Sequence, residues 1–285
     1  ASQERLALAT ESLNLNEQAL AVVDKRHQRG AAPVNDRLRA EAAVERASST
    51  LRQARMQLND DIYRLTNYWL TANESRDEIR LAGDLYDTGP IAAEFSQLLT
   101  TIDSALVLEV YASQARLAEA GATLAQAEST GGVDWRLGLT HFADSGDKAL
   151  SAGVSAPLFS GRRGVSANNA ARQRSVASEH QYLSHKREVT QKLHTTWSAL
   201  KRHSANVEAY RQKIIPLLKQ AMNEVGQGYA QGRYRYQDWQ IAQEELIEAQ
   251  HQLITSATGA QISRTLIEEL TATAVSNQTT QDAPL

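Results

Sequence analysis

Residues 135–159 read WRLGLTHF ADSGDK ALSAGVSAPLF, two arms separated by a polar loop. Every second residue of each arm is apolar; these positions are Trp135, Leu137, Leu139, Leu150, Ala152, Val154 and Ala156. Successive side chains of a β-strand point to opposite faces, so a period of two around a Gly/Asp loop predicts a β-hairpin. One face is apolar and the other is small and polar. That pattern suits a strand pair with water on one side and lipid or a core on the other.

The rest of the chain has the composition of long helices. Ala, Leu, Gln, Glu and Arg are abundant among its 285 residues, while Gly (15) and Pro (5) are few. The net charge of −3 argues against a general nucleic-acid binder, and the lack of cysteine excludes disulfides, thiol catalysis and cysteine-ligated metals. No apolar run approaches the roughly 20 residues of a transmembrane helix, and the first residues show no signal-peptide pattern.

Residues 2 to about 68 predict two helices joined by the segment 29–33. Gly30 is a plausible C-cap of the first helix, and Pro33 cannot continue it. Asn35 or Asp36 could cap the second helix. The apolar face of the second helix is thin and rich in alanine, which predicts close packing against a neighbouring helix.

The second half of the chain predicts a very long helix from about residue 165 to residue 226 or 228, which Pro216 should kink or break. Sixty-odd helical residues at ~1.5 Å each span on the order of 90 Å. No compact domain of this size contains such a helix. Further helices are expected after Ile91, over residues 104–128 and over residues 237–270.

An internal repeat links the two halves. Gly30 pairs with Gly232, an offset of 202 residues (232 − 30), and the same offset pairs Asp36 with Asp238. Both copies read as a helix, a glycine, five residues, an aspartate and a second helix. This predicts a duplicated architecture, in which the first copy lacks the helix–hairpin–helix portion that precedes the turn.

Four motifs then carry a family resemblance: residues 133–139 after an Ala-rich helix, residues 156–163 after the second strand, residues 214–216, and Tyr229-x2-Gly232-x5-Asp238. In this order and spacing they resemble the outer-membrane efflux protein family, the TolC-like exit ducts, and most closely the branch that serves heavy-metal pumps. The resemblance covers nearly the whole chain but only part of a family member.

The resemblance implies a mainly α fold, with very long antiparallel coiled-coil helices and one β-hairpin. In the family, three protomers form a tube that joins a periplasmic α-barrel to an outer-membrane β-barrel. The implied segments are the first-repeat hairpin (1–68), an equatorial irregular segment (69–104), an α-barrel helix (105–130), barrel strands (133–159), the second-repeat hairpin (163–270) and a polar tail (271–285). Three single hairpins give six strands, fewer than the about eight of the smallest membrane barrels. We therefore expect an N-terminal portion, beginning in many relatives with a lipidated cysteine, to precede Ala1.

The resemblance also places a gate at the two helix–helix turns. It implies that Gly30 and Gly232 form the periplasmic tip, with Asp36 and Asp238 as gate carboxylates six residues after each glycine. Tyr234 and Arg235 are carried over more loosely to the same gate. Rings of three carboxylates in a narrow mouth attract cations and repel one another unless they are paired. The alternative is that both aspartates are ordinary helix caps, and the two interpretations are compatible.

Other candidate sites have simpler interpretations. Trp135 is expected in an aromatic girdle at the membrane interface. Tyr236, Trp197 and Trp239 are expected to be packing residues. No His/Asp/Glu set has the spacing of a metal site, so the histidines are expected to be solvated helix residues, and no metal or cofactor is predicted. No catalytic motif is recognisable, and the protein is not expected to be an enzyme.

The favoured function is the exit duct of a tripartite efflux system in the bacterial outer membrane, extending into the periplasm and passively exporting substrates such as heavy-metal cations. The implied partners are two further copies in a homotrimer, a periplasmic adaptor (membrane fusion) protein, an inner-membrane efflux pump and outer-membrane lipid, with no nucleic acid. One alternative is a periplasmic adaptor or other coiled-coil scaffold without a pore. Another is a soluble interaction module in which the hairpin caps a helical bundle.

Overall fold

The structure, a computed structural model, describes residues 1–68, 79–89, 94–102, 105–129, 133–142, 146–155 and 161–271. In chain order its elements are α1 (Ser2–Gln28), α2 (Val34–Thr66), α3 (Phe95–Ile102), α4 (Leu106–Ser129), β1 (Asp134–His141), β2 (Lys148–Ser155), α5 (Gly161–Ala209), a π-helical turn (Tyr210–Ile214), α6 (Ile215–Ala230) and α7 (Tyr236–Thr271). The expected strand extension to Phe159 and the tail beyond Thr271 lie outside the described residues. The mainly α fold with one hairpin is confirmed.

The chain divides into two compact units. The first contains residues of Ala1–Ala92 and Thr196–Leu266, and the second contains residues of Ala93–Thr195 and Ile267–Val275. The helix–helix turns that follow Gly30 and Gly232 therefore belong to the first unit. The β-hairpin belongs to the second.

Many of the buried side chains in the first unit are small. Its buried alanines include Ala9, Ala19, Ala40, Ala43, Ala47, Ala242, Ala249, Ala257 and Ala260. The α7 helix packs on α1, where the Gln243 side-chain amide donates to the carbonyl of Leu15 over 3.4 Å. A methyl group takes little room, so helices can approach closely where these alanines meet, as the thin Ala-rich face of α2 predicted.

The π-helical turn allows the helical backbone to continue past Pro216. Proline has no N–H, and its ring clashes with the carbonyl four residues before it in a regular helix. Here the backbone widens just before the proline, and the N–H of Ile215 donates to the carbonyl of Tyr210, five residues back. Pro216 then lies in the first turn of α6, where a missing donor costs little. The expected interruption is thus a π-turn.

The predicted β-hairpin is present, and its two strands pair in antiparallel fashion. Trp135 pairs with Val154, Leu137 with Ala152 and Leu139 with Leu150, which brings the apolar side chains onto one face. These side chains are largely exposed; Trp135 is 71% and Leu150 is 78% accessible. A contiguous apolar face in contact with water is typical of a surface that another molecule or lipid covers.

No helix in the described part of the chain combines the length and the apolar character needed to cross a membrane.

Candidate functional site

The two turns named from the sequence share one backbone structure. Gly30 and Gly232 have φ of 71° and 81°, the left-handed conformation that glycine adopts without strain. After α1, the N–H of Ala31 donates to the carbonyl of Arg26 over 2.8 Å, and after α6 the N–H of Arg233 donates to the carbonyl of Gly228 over 2.8 Å. Both are Schellman motifs. The two donors are 202 residues apart in sequence (233 − 31), and so are the two acceptors (228 − 26). The internal repeat of the sequence therefore recurs in the hydrogen bonds of the two turns.

The two aspartates predicted at the gate, Asp36 and Asp238, occupy equivalent positions with different partners. Both are the third residue of their helix, since α2 begins at Val34 and α7 at Tyr236. The Asp238 carboxylate accepts a 3.0 Å hydrogen bond from the backbone N–H of Arg235, the residue before the helix. That bond is half of a capping box.

The first copy cannot form the same bond, because the residue before α2 is Pro33, which has no N–H. The prediction that Asn35 or Asp36 caps α2 is wrong, since proline already fits the position with φ −71° and ψ 155°. Within the described residues the Asp36 side chain has no hydrogen-bond or ion-pair partner. Its carboxylate is therefore available to another group.

Among Asp36, Asp238, Arg235 and Tyr234, the hydrogen bonds and ion pairs of the described residues link only Arg235 with Asp238. Arg235 is linked to Asp238 through its backbone, and no ion pair of its guanidinium is found within the described residues. The Tyr234 ring lies on the backbone of Gly228 in its own helical hairpin, where a Cβ atom would collide with it. The side chain remains 42% exposed.

An aromatic cluster joins the two helical hairpins instead. Val23 and Ala40 of the first hairpin pack with Tyr229 and Tyr236 of the second, and Trp239 lies beside them. The Tyr229 ring centroid is 5.9 Å from that of Tyr236 and 5.6 Å from that of Trp239. These separations are typical of favourable aromatic pairs. We call these five residues the junction cluster.

Arg26 completes the contact between the hairpins. Its guanidinium carbon lies 4.4 Å from the Tyr229 ring centroid, within the range of a cation–π interaction. One guanidinium nitrogen also donates to the carbonyl of Ala31 over 3.1 Å. Sequence reasoning named Tyr236 and Trp239 as packing residues and placed Tyr229 in the turn motif. It missed Arg26 and the contact of Tyr229 with the first hairpin.

The two tyrosine hydroxyls of the junction cluster are buried and make no hydrogen bond within the described residues. Tyr229 and Tyr236 are 2% and 1% exposed, and neither hydroxyl has a hydrogen-bond partner within the described residues. Burial raises the pKa of both hydroxyls, and the Asp36 carboxylate raises both further. An unpartnered buried hydroxyl costs about 1–3 kcal/mol. The contact between the hairpins is therefore held by packing and opposed by desolvation.

Ion pairs around the turns are exposed and weak. Arg37 contacts Asp24 at 2.8 Å and Glu41 at 2.7 Å in the first hairpin, and Arg233 contacts Glu224 at 3.5 Å in the second. Their side chains are 37–58% exposed. Exposed pairs contribute about 0–1 kcal/mol each, so the aromatic contact is the larger contribution.

Two histidines of the second unit contact aromatic rings, whereas the sequence predicted only solvated helix residues. The His185 ring stacks on Tyr111 with centroids 3.8 Å apart, and the His194 ring meets the edge of Phe95 at 5.0 Å. An imidazole ring has flat apolar faces that pack on aromatic neighbours. Within the described residues, no group of three His, Asp or Glu side chains could hold a metal ion.

Several solved outer-membrane proteins share this fold. VceC from Vibrio cholerae matches with a TM-score of 0.76 at 16% identity, over 96% of this chain and 67% of VceC. CusC matches with a TM-score of 0.79 at 16% identity, over 95% of this chain and 64% of CusC. The CmeC outer-membrane channel of Campylobacter jejuni matches with a TM-score of 0.66 at 14% identity, over 99% of this chain and 61% of CmeC. The chain has the fold of these outer-membrane proteins.

That assignment rests on structure alone. No family model and no curated protein matches the sequence, and identities of 14–16% identify a fold without identifying a substrate. The chain spans 61–67% of the length of these three structures. The expectation of a TolC-like fold is confirmed.

Proposed function

We propose that this chain is part of an exit duct of the bacterial outer membrane, which extends into the periplasm and works without catalysis in a tripartite efflux system. The observation that carries the proposal is the match to outer-membrane channels over at least 95% of the chain. A duct acts through its geometry. It provides a path for substrates that other proteins deliver, and it needs neither a reactive group nor a cofactor.

The β-hairpin is the segment that we assign to the outer membrane. Its apolar face consists of Trp135, Leu137 and Leu139 opposite Val154, Ala152 and Leu150, and these residues suit contact with lipid. The opposite face pairs Gly138 with Ser151 and Arg136 with Gly153, which suits a wet interior. Trp135 is the second residue of the first strand, so we place it at the membrane interface.

The turns at Gly30 and Gly232 are the proposed periplasmic tip, and Asp36 and Asp238 are its proposed gate carboxylates. In a homotrimer they would form two rings of three negative charges, which attract cations. The capping bond of Asp238 and the unpartnered carboxylate of Asp36 suggest different tasks. Asp238 shapes its own turn, and Asp36 is available to a neighbouring protomer or to an adaptor.

The proposed partners are two further copies of the protein, a periplasmic adaptor that docks at the tip, and an inner-membrane pump. The proposed cargo is a heavy-metal cation, as the sequence resemblance implies. Rings of carboxylates at the tip would favour a cation over an anion on its way into the duct.

Extraction of the complete gene product from membranes tests the proposal. A duct should require detergent, migrate as a trimer and conduct ions across a planar bilayer. Recovery of a soluble protein without detergent and without conductance would instead support a coiled-coil scaffold. Sensitivity of a deletion strain to metal salts, compared with its sensitivity to organic drugs, then tests the cargo.

A further inference from the structure

A short irregular segment crosses several helices of the first unit. We call residues 81–89 the strap. The Asp84 carboxylate accepts from the N–H of Tyr86 over 2.8 Å, and the Asp87 carboxylate accepts from the N–H of Gly89 over 3.0 Å. Each of these bonds closes a short turn in which an aspartate side chain accepts from the backbone two residues later. Two turns of this kind in succession give the strap a defined shape without regular secondary structure.

Two helices hold the strap in place. The Tyr86 hydroxyl donates to the Glu4 carboxylate of α1 over 3.0 Å. Burial, followed by this hydrogen bond, raises the pKa of Tyr86, so the hydroxyl keeps its proton and remains a donor. On α7, the Gln261 side-chain amide donates to the carbonyls of Leu85 and Asp87 over 3.3 and 2.9 Å. The strap is thus fixed on α1 and α7.

The strap also reaches the π-turn between α5 and α6. Arg211 lies inside that turn, and its guanidinium is 3.9 Å from the Asp84 carboxylate. The same guanidinium carbon is 5.9 Å from the Tyr86 ring centroid. Both side chains of the ion pair are about half exposed, 56% for Arg211 and 51% for Asp84. Each contact is weak alone, but both tie the π-turn to a segment that is already fixed.

The π-turn is the natural hinge of the second helical hairpin. It has widened backbone geometry, and the following Pro216 cannot donate a hydrogen bond to the turn before it. The α6 helix beyond it has 16 residues, about 24 Å at ~1.5 Å each. A bend of about 10° at the hinge would therefore move the Gly232 turn by roughly 4 Å.

We propose that the strap is a clamp on this hinge: through Asp84 and Tyr86 it holds Arg211, and so restrains the angle at which α6 leaves α5. The clamp ties the position of the Gly232 turn to the contacts of the strap on α1 and α7. This inference does not depend on transport, so it can fail while the proposed duct function stands.

Hydrogen exchange of the intact protein tests the clamp, with amides of residues 210–219 as the readout. Arg211→Met keeps the apolar stem and removes the charge, and it should accelerate exchange there about two- to fivefold. Tyr86→Phe frees the strap from Glu4 and should act in the same direction. Arg211→Lys keeps a positive charge and should retain part of the protection.

Arg233→Met is the matched control. It removes an ion pair of the same hairpin whose side chains are similarly exposed, 55% and 58%, so exchange at residues 210–219 should not change. Salt near 1 M, where the Debye length is about 3 Å, should accelerate exchange in the wild type but not in Arg211→Met. Unchanged exchange in Arg211→Met, or equal acceleration in Arg233→Met, would overturn the proposal.

Discussion

Removal of one oxygen atom should stabilise the contact between the two helical hairpins. The substitution Tyr236→Phe retains the ring that packs 5.9 Å from Tyr229 and removes a hydroxyl that is buried without a partner. The penalty for an unpartnered buried hydroxyl is about 1–3 kcal/mol. Part of the gain is offset because the missing oxygen leaves a small void, whose lining loses packing contacts. We expect a net increase of about 1 kcal/mol in the free energy of unfolding of the first unit.

The same substitution should alter the dependence of stability on pH. Burial raises the pKa of Tyr236 above its usual value of 10.0. Below pH 10 the side chain is neutral in both states, so it adds no pH dependence. Above pH 10 the unfolded chain loses the proton while the folded chain keeps it, and the stability of the wild type falls as pH rises. The advantage of Tyr236→Phe should therefore be larger at pH 10.5 than at pH 8.

Urea unfolding followed by tryptophan fluorescence and circular dichroism measures both effects, and Trp239 beside Tyr229 reports on the cluster. Tyr234→Phe is the control, because that ring is 42% exposed and its substitution should change the free energy of unfolding by less than about 0.5 kcal/mol. A loss of 1 kcal/mol or more in Tyr236→Phe would show that the hydroxyl has a partner, and the account of the junction cluster would be wrong.

Two further predictions concern the turns. Asp238→Ala should lower the selectivity of single channels for cations or relieve their block by multivalent cations in a planar bilayer, because it removes one ring of three charges; unchanged conductance and block would withdraw this residue from the gate. Gly232→Ala should destabilise the protein by about 1 kcal/mol in urea unfolding, because an L-residue is strained at φ 81°. Gly121→Ala, in open space on helix α4, should instead stabilise it by about 0.5–1 kcal/mol, and two changes of the same sign would contradict the conformational argument.

The hairpin and the turns could be predicted because their signals are local. Alternation through Trp135, Leu137 and Leu139 defines a strand face whatever surrounds it, and the register follows from the shared apolar face. Gly30 and Gly232 were predictable because only glycine enters the left-handed region freely. The recurrence of the turn sequence at a fixed offset then led to two equivalent structures.

Contacts between the hairpins could not be predicted, because they depend on how two distant segments meet. Arg26 and Tyr229 are 203 residues apart (229 − 26), and nothing in either local sequence specifies the other. The start of α2 was misplaced for another reason. Asn35 and Asp36 are better intrinsic caps than proline, but the extended backbone of Pro33 ends the turn two residues earlier. A π-turn likewise has no sequence signal beyond the proline that it accommodates.

The alanines buried between α1, α2 and α7 set how these helices can move. An alanine side chain has no rotamers, so its burial costs no side-chain entropy. Alanine methyl groups on facing helices also interdigitate less deeply than leucine side chains do in knobs-into-holes packing. The helices can therefore slide along one another by small steps without repacking, whereas a single Ala40→Val substitution at a fully buried position would force their axes apart. Helix–helix interfaces packed through alanine therefore favour small, gradual shifts along the helix axes over a switch between two distinct packing arrangements.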